Sequence, residues 1–213
     1  MSGPNGAFAR PILVDLDLVT PYFRSRETTG ALRERGVEVI APLDLTECVD
    51  VPAVTPQILG AIEQTSRPVV VDVGGDEQGG RALGRYSNVL RSCGYEMAFV
   101  VNPYRPYTAT SQAIQASIVE IERSSRLEVS ALVSNPNLMG ETDLDVIRAG
   151  HELVLDAAHR LGLPVAFLVA MARFQTSLQD EYAQPVLPLR RFFLLPWEEE
   201  EDSASFSRGR GKK

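Results

Sequence analysis

Pro68-Val69-Val70-Val71-Asp72-Val73-Gly74-Gly75-Asp76 is the stretch whose reading decides the fold. Its β-branched residues leave neither face of the segment suited to water. A strand of this kind belongs to a parallel sheet covered by helices on both faces. The carboxylate and glycines that follow put polar chemistry at the strand's C-terminal end. In open α/β sheets that is the edge where ligands bind.

The same alternation of short apolar runs and helical periods extends in both directions. Strands are predicted near 11–16, 37–41, 68–73, 96–101, 129–134 and 165–169, and helices near 25–35, 56–65, 79–92, 109–123 and 143–161, with a further one over 173–182. Ala82, Leu83, Tyr86, Val89, Leu90 and Cys93 recur at helical steps, as do Ile114, Ile118 and Ile121. Thr142 with Asp145 three residues on reads as a capping box opening the longest helix, which Gly162 and Pro164 close. The whole is a three-layer α/β fold, a mostly parallel sheet with helices on both faces. Residues 1–10 read as a disordered N-terminus, 11–197 as the α/β domain, and 198–213 as a disordered tail, acidic then basic. Pro185 to Trp197, apolar and rich in proline, is expected to pack over the sheet edge as extended chain.

Composition excludes several classes of function. The net charge of −7 argues against indiscriminate nucleic-acid binding by the ordered domain. No run of 18 apolar residues provides a membrane span, and Met1 to Arg10 has no secretory-signal pattern, so a cytoplasmic location is expected. Cys48 and Cys93 read as free thiols, and His151 and His159 lack ligand partners at metal spacing. The only lysines are Lys212 and Lys213, so the body of the chain must do its chemistry without one.

Four strand ends carry candidate chemistry. Ile12-Leu13-Val14-Asp15-Leu16-Asp17 presents two carboxylates two residues apart, hence pointing the same way, fit for one Mg²⁺ or one attacking water. Asp72 with Gly74-Gly75 has the form of a magnesium-holding strand end followed by a loop open to phosphate, although Gly-Gly-Asp is also ordinary turn chemistry. Leu132-Val133-Ser134-Asn135-Pro136-Asn137 offers an amide able to read a purine edge, or a plain Asn-Pro turn. Val100 to Thr108 forms a rigid loop whose Arg105 suits an anion and whose aromatics suit packing.

In this order the four segments resemble the ParA/MinD/CobQ-type P-loop ATPases, most specifically in the phrase Val14-Asp15-Leu16-Asp17-Leu18-Val19-Thr20-Pro21-Tyr22-Phe23-Arg24-Ser25-Arg26-Glu27 and in Val71-Asp72-Val73-Gly74-Gly75-Asp76 with the following Gly84-Arg85-Tyr86. The resemblance runs from about residue 11 to about 197. It implies ATP and Mg²⁺ as cofactors and a homodimer as the working form. It also implies Asp17 near the attacking water, Asp15 beside it, and Asp72 as the magnesium residue. Gly75 then lies beside the γ-phosphate and Asn135 on the adenine, with Asn137 as the alternative.

One part of the family pattern is missing. The family opens with a strand, a glycine-rich phosphate loop ending in Gly-Lys-Thr or Gly-Lys-Ser, and a helix. Nothing of that form occurs here. Gly74, Gly75, Gly79 and Gly80 follow the strand of Asp72 and carry no lysine. In the family the missing strand lies mid-sheet, beside that of Asp72, so its loss should leave two apolar strand edges unpaired or force them together. A start codon placed too late is the leading expectation, and a degenerate relative the other. The function expected is an ATP-binding protein inactive in hydrolysis as it stands. The alternative is a non-catalytic scaffold that kept the fold without the nucleotide. An ATP-dependent amidase or ligase ranks below both, because Cys93 lies in a predicted helix and no histidine is expected near a strand end.

Overall fold

A computed structural model describes residues 10–16, 26–40, 56–64 and 66–190. The fold is α/β, and every strand pairing is parallel. The described residues form the strands β1 (Ile12–Asp15), β2 (Glu38–Ile40), β3 (Val69–Asp72), β4 (Ala98–Val101), β5 (Ala131–Ser134), β6 (Val165–Met171) and β7 (Val186–Leu189). The helices are α1 (Arg26–Glu34), α2 (Pro56–Glu63), α3 (Glu77–Gly84), α4 (Ser87–Cys93), α5 (Ser111–Ser125), α6 (Leu144–Leu161) and the short α7 (Gln175–Leu178).

The strands do not make one sheet. They make two, in the orders β2-β1-β3 and β4-β5-β6-β7. Among the described residues β3 and β4 each pair on one side only, and the break falls between them. Separate apolar clusters back the two sheets. Ile58, Ala61 and Ile62 of α2, Leu83 of α3 and Tyr86 pack on Ile12 and Val14 of β1, with Val69 and Val71 of β3 against them. Ile114, Ile118 and Ile121 of α5 and Val154, Ala157 and Ala158 of α6 pack on Phe99, Val101 and Leu132. Between the first two clusters, α3 lies on α5. A Cβ on Gly80 would stand 1.9 Å from Ser124 Oγ, and one on Gly84 would stand 2.8 Å from the Ser124 carbonyl. Only glycine allows this approach. The Arg126 guanidinium also donates to the Gly84 carbonyl.

Several expectations need correction. The helix expected over 79–92 is two, broken at Arg85-Tyr86, where the Arg85 and Tyr86 amides turn back onto the Ala82 and Leu83 carbonyls. The cap of α6 is Asp143, not Thr142: its carboxylate accepts from the Val146 amide at 2.8 Å. Thr142 instead bonds Leu138 and Asn137. Gly162 closes α6 at φ 67°, as expected. Val186–Leu189, expected as irregular extended chain, is a strand paired in register with β6. Pro188 fits because β7 is an edge: the Leu168 amide bonds the Pro185 carbonyl, so by alternation the nitrogen of residue 188 points away from β6. Of the segments expected to be disordered, 1–10 and 198–213, all but Arg10 lie outside the described residues, and the Arg10 carbonyl accepts from the Arg67 side chain.

Candidate functional site

The C-terminal strand ends gather the candidate residues, as parallel topology requires. Asp15 and Asp72 are cross-strand partners at the ends of β1 and β3. Parallel partners point to the same face, and neighbouring strands lie about 4.8 Å apart. The two carboxylates therefore stand side by side, on the face opposite α2 and α3. Asp17, two residues beyond Asp15, lies outside the described residues.

Two hard, anionic oxygen donors side by side at a strand end suit Mg²⁺, which takes one or two carboxylates and fills its other positions with water and phosphate. Among the described residues no group of three or more acidic, histidine or cysteine side chains gathers into a metal cage.

The loop after β3 divides its labour. Asp76 caps α3, its carboxylate accepting from the Gly79 amide at 2.8 Å. Gly79 packs under this loop so tightly that a Cβ would fall 2.0 Å from the Gly74 carbonyl oxygen. Gly75 is exposed, with nothing within 4 Å of where its Cβ would be. The glycine cluster thus splits into a packing group, Gly79 and Gly80, and an open position, Gly75.

Across the break, the ends of β4 and β5 carry two interlocked loops. The Asn102 side chain donates to the Asn137 carbonyl at 2.9 Å and accepts from the Tyr104 and Asn137 amides at 3.2 and 3.3 Å. The Asn137 side-chain oxygen accepts from the Met139 amide and the Thr142 hydroxyl at 2.9 and 3.0 Å. It is engaged in holding the loop. The half-buried Asn135 has its backbone N–H on the Val101 carbonyl, and its side-chain amide has no hydrogen-bond partner among the described residues. Of the two asparagines, Asn135 is the one with donor and acceptor to offer.

Beneath both loops α6 comes close. A Cβ on Gly150 would meet Pro136 at 2.6 Å and Pro103 at 2.8 Å. Tyr104 donates its hydroxyl to the Val146 carbonyl at 2.6 Å, and burial first, then the charge of Asp143, raises its pKa. Arg105 is exposed and makes no ion pair among the described residues. The aromatic at position 104 packs, whereas Tyr107 is 82% exposed.

Sequence reasoning missed one pair. His151 of α6 and Ser134, the last residue of β5, are both fully buried, with Nδ1 and Oγ 2.9 Å apart. The expectation that no histidine lies near a strand end is therefore wrong. Desolvation depresses the His151 pKa, partly opposed by the Gln184 side chain and the charge of Glu152. Nε2 has no hydrogen-bond partner in the described structure, and the ring meets Tyr182 edge-on at 4.4 Å. Sealed from solvent, the pair ties α6 to the β5 end that presents Asn135. The Ser134 codon gives no hint of this; only the i, i+3, i+4 face of α6 with Ile147, Gly150 and Val154 places His151 inward.

A cavity of about 760 Å³ lies beside β2, with Arg10, Arg33 and Arg67 among its lining residues. Arg67 is engaged there with Glu38 at 2.7 Å and with the Arg10 carbonyl at 2.6 Å. None of the candidate residues lines it.

No protein-family model matches the chain, and neither the curated proteins nor the solved structures contain a significant match to it.

Proposed function

We propose that this chain is a nucleotide-binding protein of the ParA/MinD/CobQ type, taking ATP with Mg²⁺ at the C-terminal ends of β1, β3 and β5. The observation that carries the reading is the cross-strand pairing of Asp15 with Asp72 at the edge where α/β proteins bind ligands. Asp72 would hold the metal, with Asp15 beside it and Asp17 toward the water. The open Gly75 leaves a phosphate room beside the backbone, and Asn135 offers its amide to the base. The metal, when bound, supplies charge neutralisation for the phosphates. The two carboxylates orient it and repel any anion that arrives without it. A cytoplasmic homodimer is part of the same proposal; no described helix is long and apolar enough to cross a membrane.

Hydrolysis is not expected of these 213 residues. The family places a lysine on the phosphates for this step, and no lysine stands before position 212. Calorimetry with Mg·ATP tests the proposal. Micromolar binding that is lost on removing Mg²⁺ and in Asp72→Ala is expected. No heat change from a chain that melts cooperatively would leave the second reading, a scaffold without nucleotide. That reading is favoured by the use of Gly79, Gly80 and Gly84 for packing alone.

A further inference from the structure

The β2 side of the first sheet carries a second concentration of chemistry. The cavity of about 760 Å³ there is lined by three arginines against one glutamate. In a chain of net charge −7 that is a local excess of positive charge. Its arginines lie away from the C-terminal strand ends. Arg10 precedes β1, Arg67 precedes β3, and Arg33 sits in the last turn of α1.

The local fold gathers the three side chains. After α1 the chain turns at Gly36, whose φ of 83° suits glycine and whose amide bonds the Arg33 carbonyl at 2.9 Å. A Cβ on Gly36 would stand 3.9 Å from Cγ of Arg10. The turn thus brings the backbone of Arg33 to the stem of Arg10. Arg67 reaches the same place from the start of β3. Its Nε donates to the Arg10 carbonyl at 2.6 Å and its Nη1 to Glu38 at 2.7 Å.

Like charges around one cavity repel each other unless an anion joins them. Glu38 balances Arg67. Arg10 and Arg33 make no ion pair among the described residues, and Nη2 of Arg67 has no hydrogen bond there. Two guanidinium groups and part of a third are therefore available to an anion.

The donor set says which anion. One guanidinium fork satisfies a carboxylate. A phosphate monoester brings about two negative charges and three acceptor oxygens, enough for Arg10, Arg33 and the spare nitrogen of Arg67. The volume lies within the range of small-molecule sites, roughly 300–1,000 Å³, so there is room for more than the phosphate. Val37 and Val39 add apolar wall, the second Glu38 oxygen can accept from a hydroxyl, and Gln57 offers an amide.

We propose that this cavity binds a small phosphorylated molecule without a metal ion, its phosphate held by Arg10, Arg33 and Arg67. The Asp15–Asp72 pair repels an anion that comes without a metal; the arginine cavity attracts it. The proposal stands whether or not the C-terminal strand ends bind nucleotide.

The test titrates the 213-residue chain with inorganic phosphate and with glycerol 3-phosphate, without divalent metal, and reads arginine Nε–H and backbone amide shifts by NMR. Saturable shifts centred on Arg10, Arg33, Gly36 and Arg67 are expected, with the ester bound at least as tightly as inorganic phosphate. Arg33→Gln, at an exposed helix position, should weaken binding roughly tenfold, the scale of one lost hydrogen bond to a charged group. Arg33→Lys should recover part of the loss, because it restores the charge without the fork. Arg10→Gln should act as Arg33→Gln does, and it leaves the carbonyl that Arg67 uses in place. Shifts that never saturate, or that sodium chloride reproduces at equal ionic strength, would overturn the proposal. So would unchanged affinity in both glutamine variants, saturable shifts centred on Asp15, Asp72 and Gly75, or binding of inorganic phosphate with exclusion of the ester.

Discussion

Asp72 is the residue on which the proposed chemistry rests. Its value comes from Asp15 beside it, a neighbour that sequence could not supply, because residues 57 apart in sequence meet only through strand register. Sequence placed both carboxylates at strand ends and left their pairing open. Conservative Asp72→Asn keeps the shape and removes the charge, so Mn²⁺ affinity in the presence of ATP should fall at least tenfold while the melting temperature changes little. Unchanged affinity would remove Asp72 from the site.

His151 belongs to the same scale. The buried ring is kept neutral in the folded protein, its pKa below the ordinary value of about 6.5. As pH falls through that value, the unfolded chain takes up a proton that the folded chain refuses. The unfolded state then binds more protons, so stability declines as pH drops below about 6.5 and is regained above it. Urea midpoints at pH 7.5 and 5.5 should show this loss, and His151→Gln should reduce it. Equal pH slopes for both proteins would contradict it.

At the scale of elements, caps and close approaches set the geometry. The helix periods were legible because Ile114, Ile118 and Ile121 line one face, and all three are buried. The break between α3 and α4 was not, since the apolar period runs through Arg85-Tyr86 without interruption. The cap moved from Thr142 to Asp143 because both side chains suit an N-cap and only the loop's hydrogen bonds decide between them. β7 was missed because proline in a short run argues against a strand unless the strand is an edge.

Two substitutions test these elements. Asp76→Ala should cost about 1 kcal/mol of stability, the ordinary worth of a lost N-cap, measured by urea denaturation. Gly80→Val should cost more, on the order of 1–3 kcal/mol for forcing volume into a packed contact, because α3 can no longer lie on α5. A stable Gly80→Val protein would mean that the helices do not touch as described.

At the scale of the molecule, parallel topology does two things at once. It carries Asp15, Asp72 and Asn135 to C-terminal strand ends, and among the described residues β3 and β4 each pair on one side only. The alternation of strands and helices was readable from apolar runs. An unpaired edge between two strands that follow one another in sequence was not, because spatial order is decided by which strands pair. The expectation of two unpaired edges, or of edges forced together, came from the resemblance. The nucleotide reading stands on the site alone.

That reading meets its most direct test in paramagnetic broadening by Mn·ATP, read amide by amide. Broadening is predicted to centre on Asp15, Asp72, Gly74 and Gly75 and to fade toward Asn135. No broadening at saturating nucleotide would contradict the account, and so would broadening centred on the Arg10, Arg33 and Arg67 cavity beside β2.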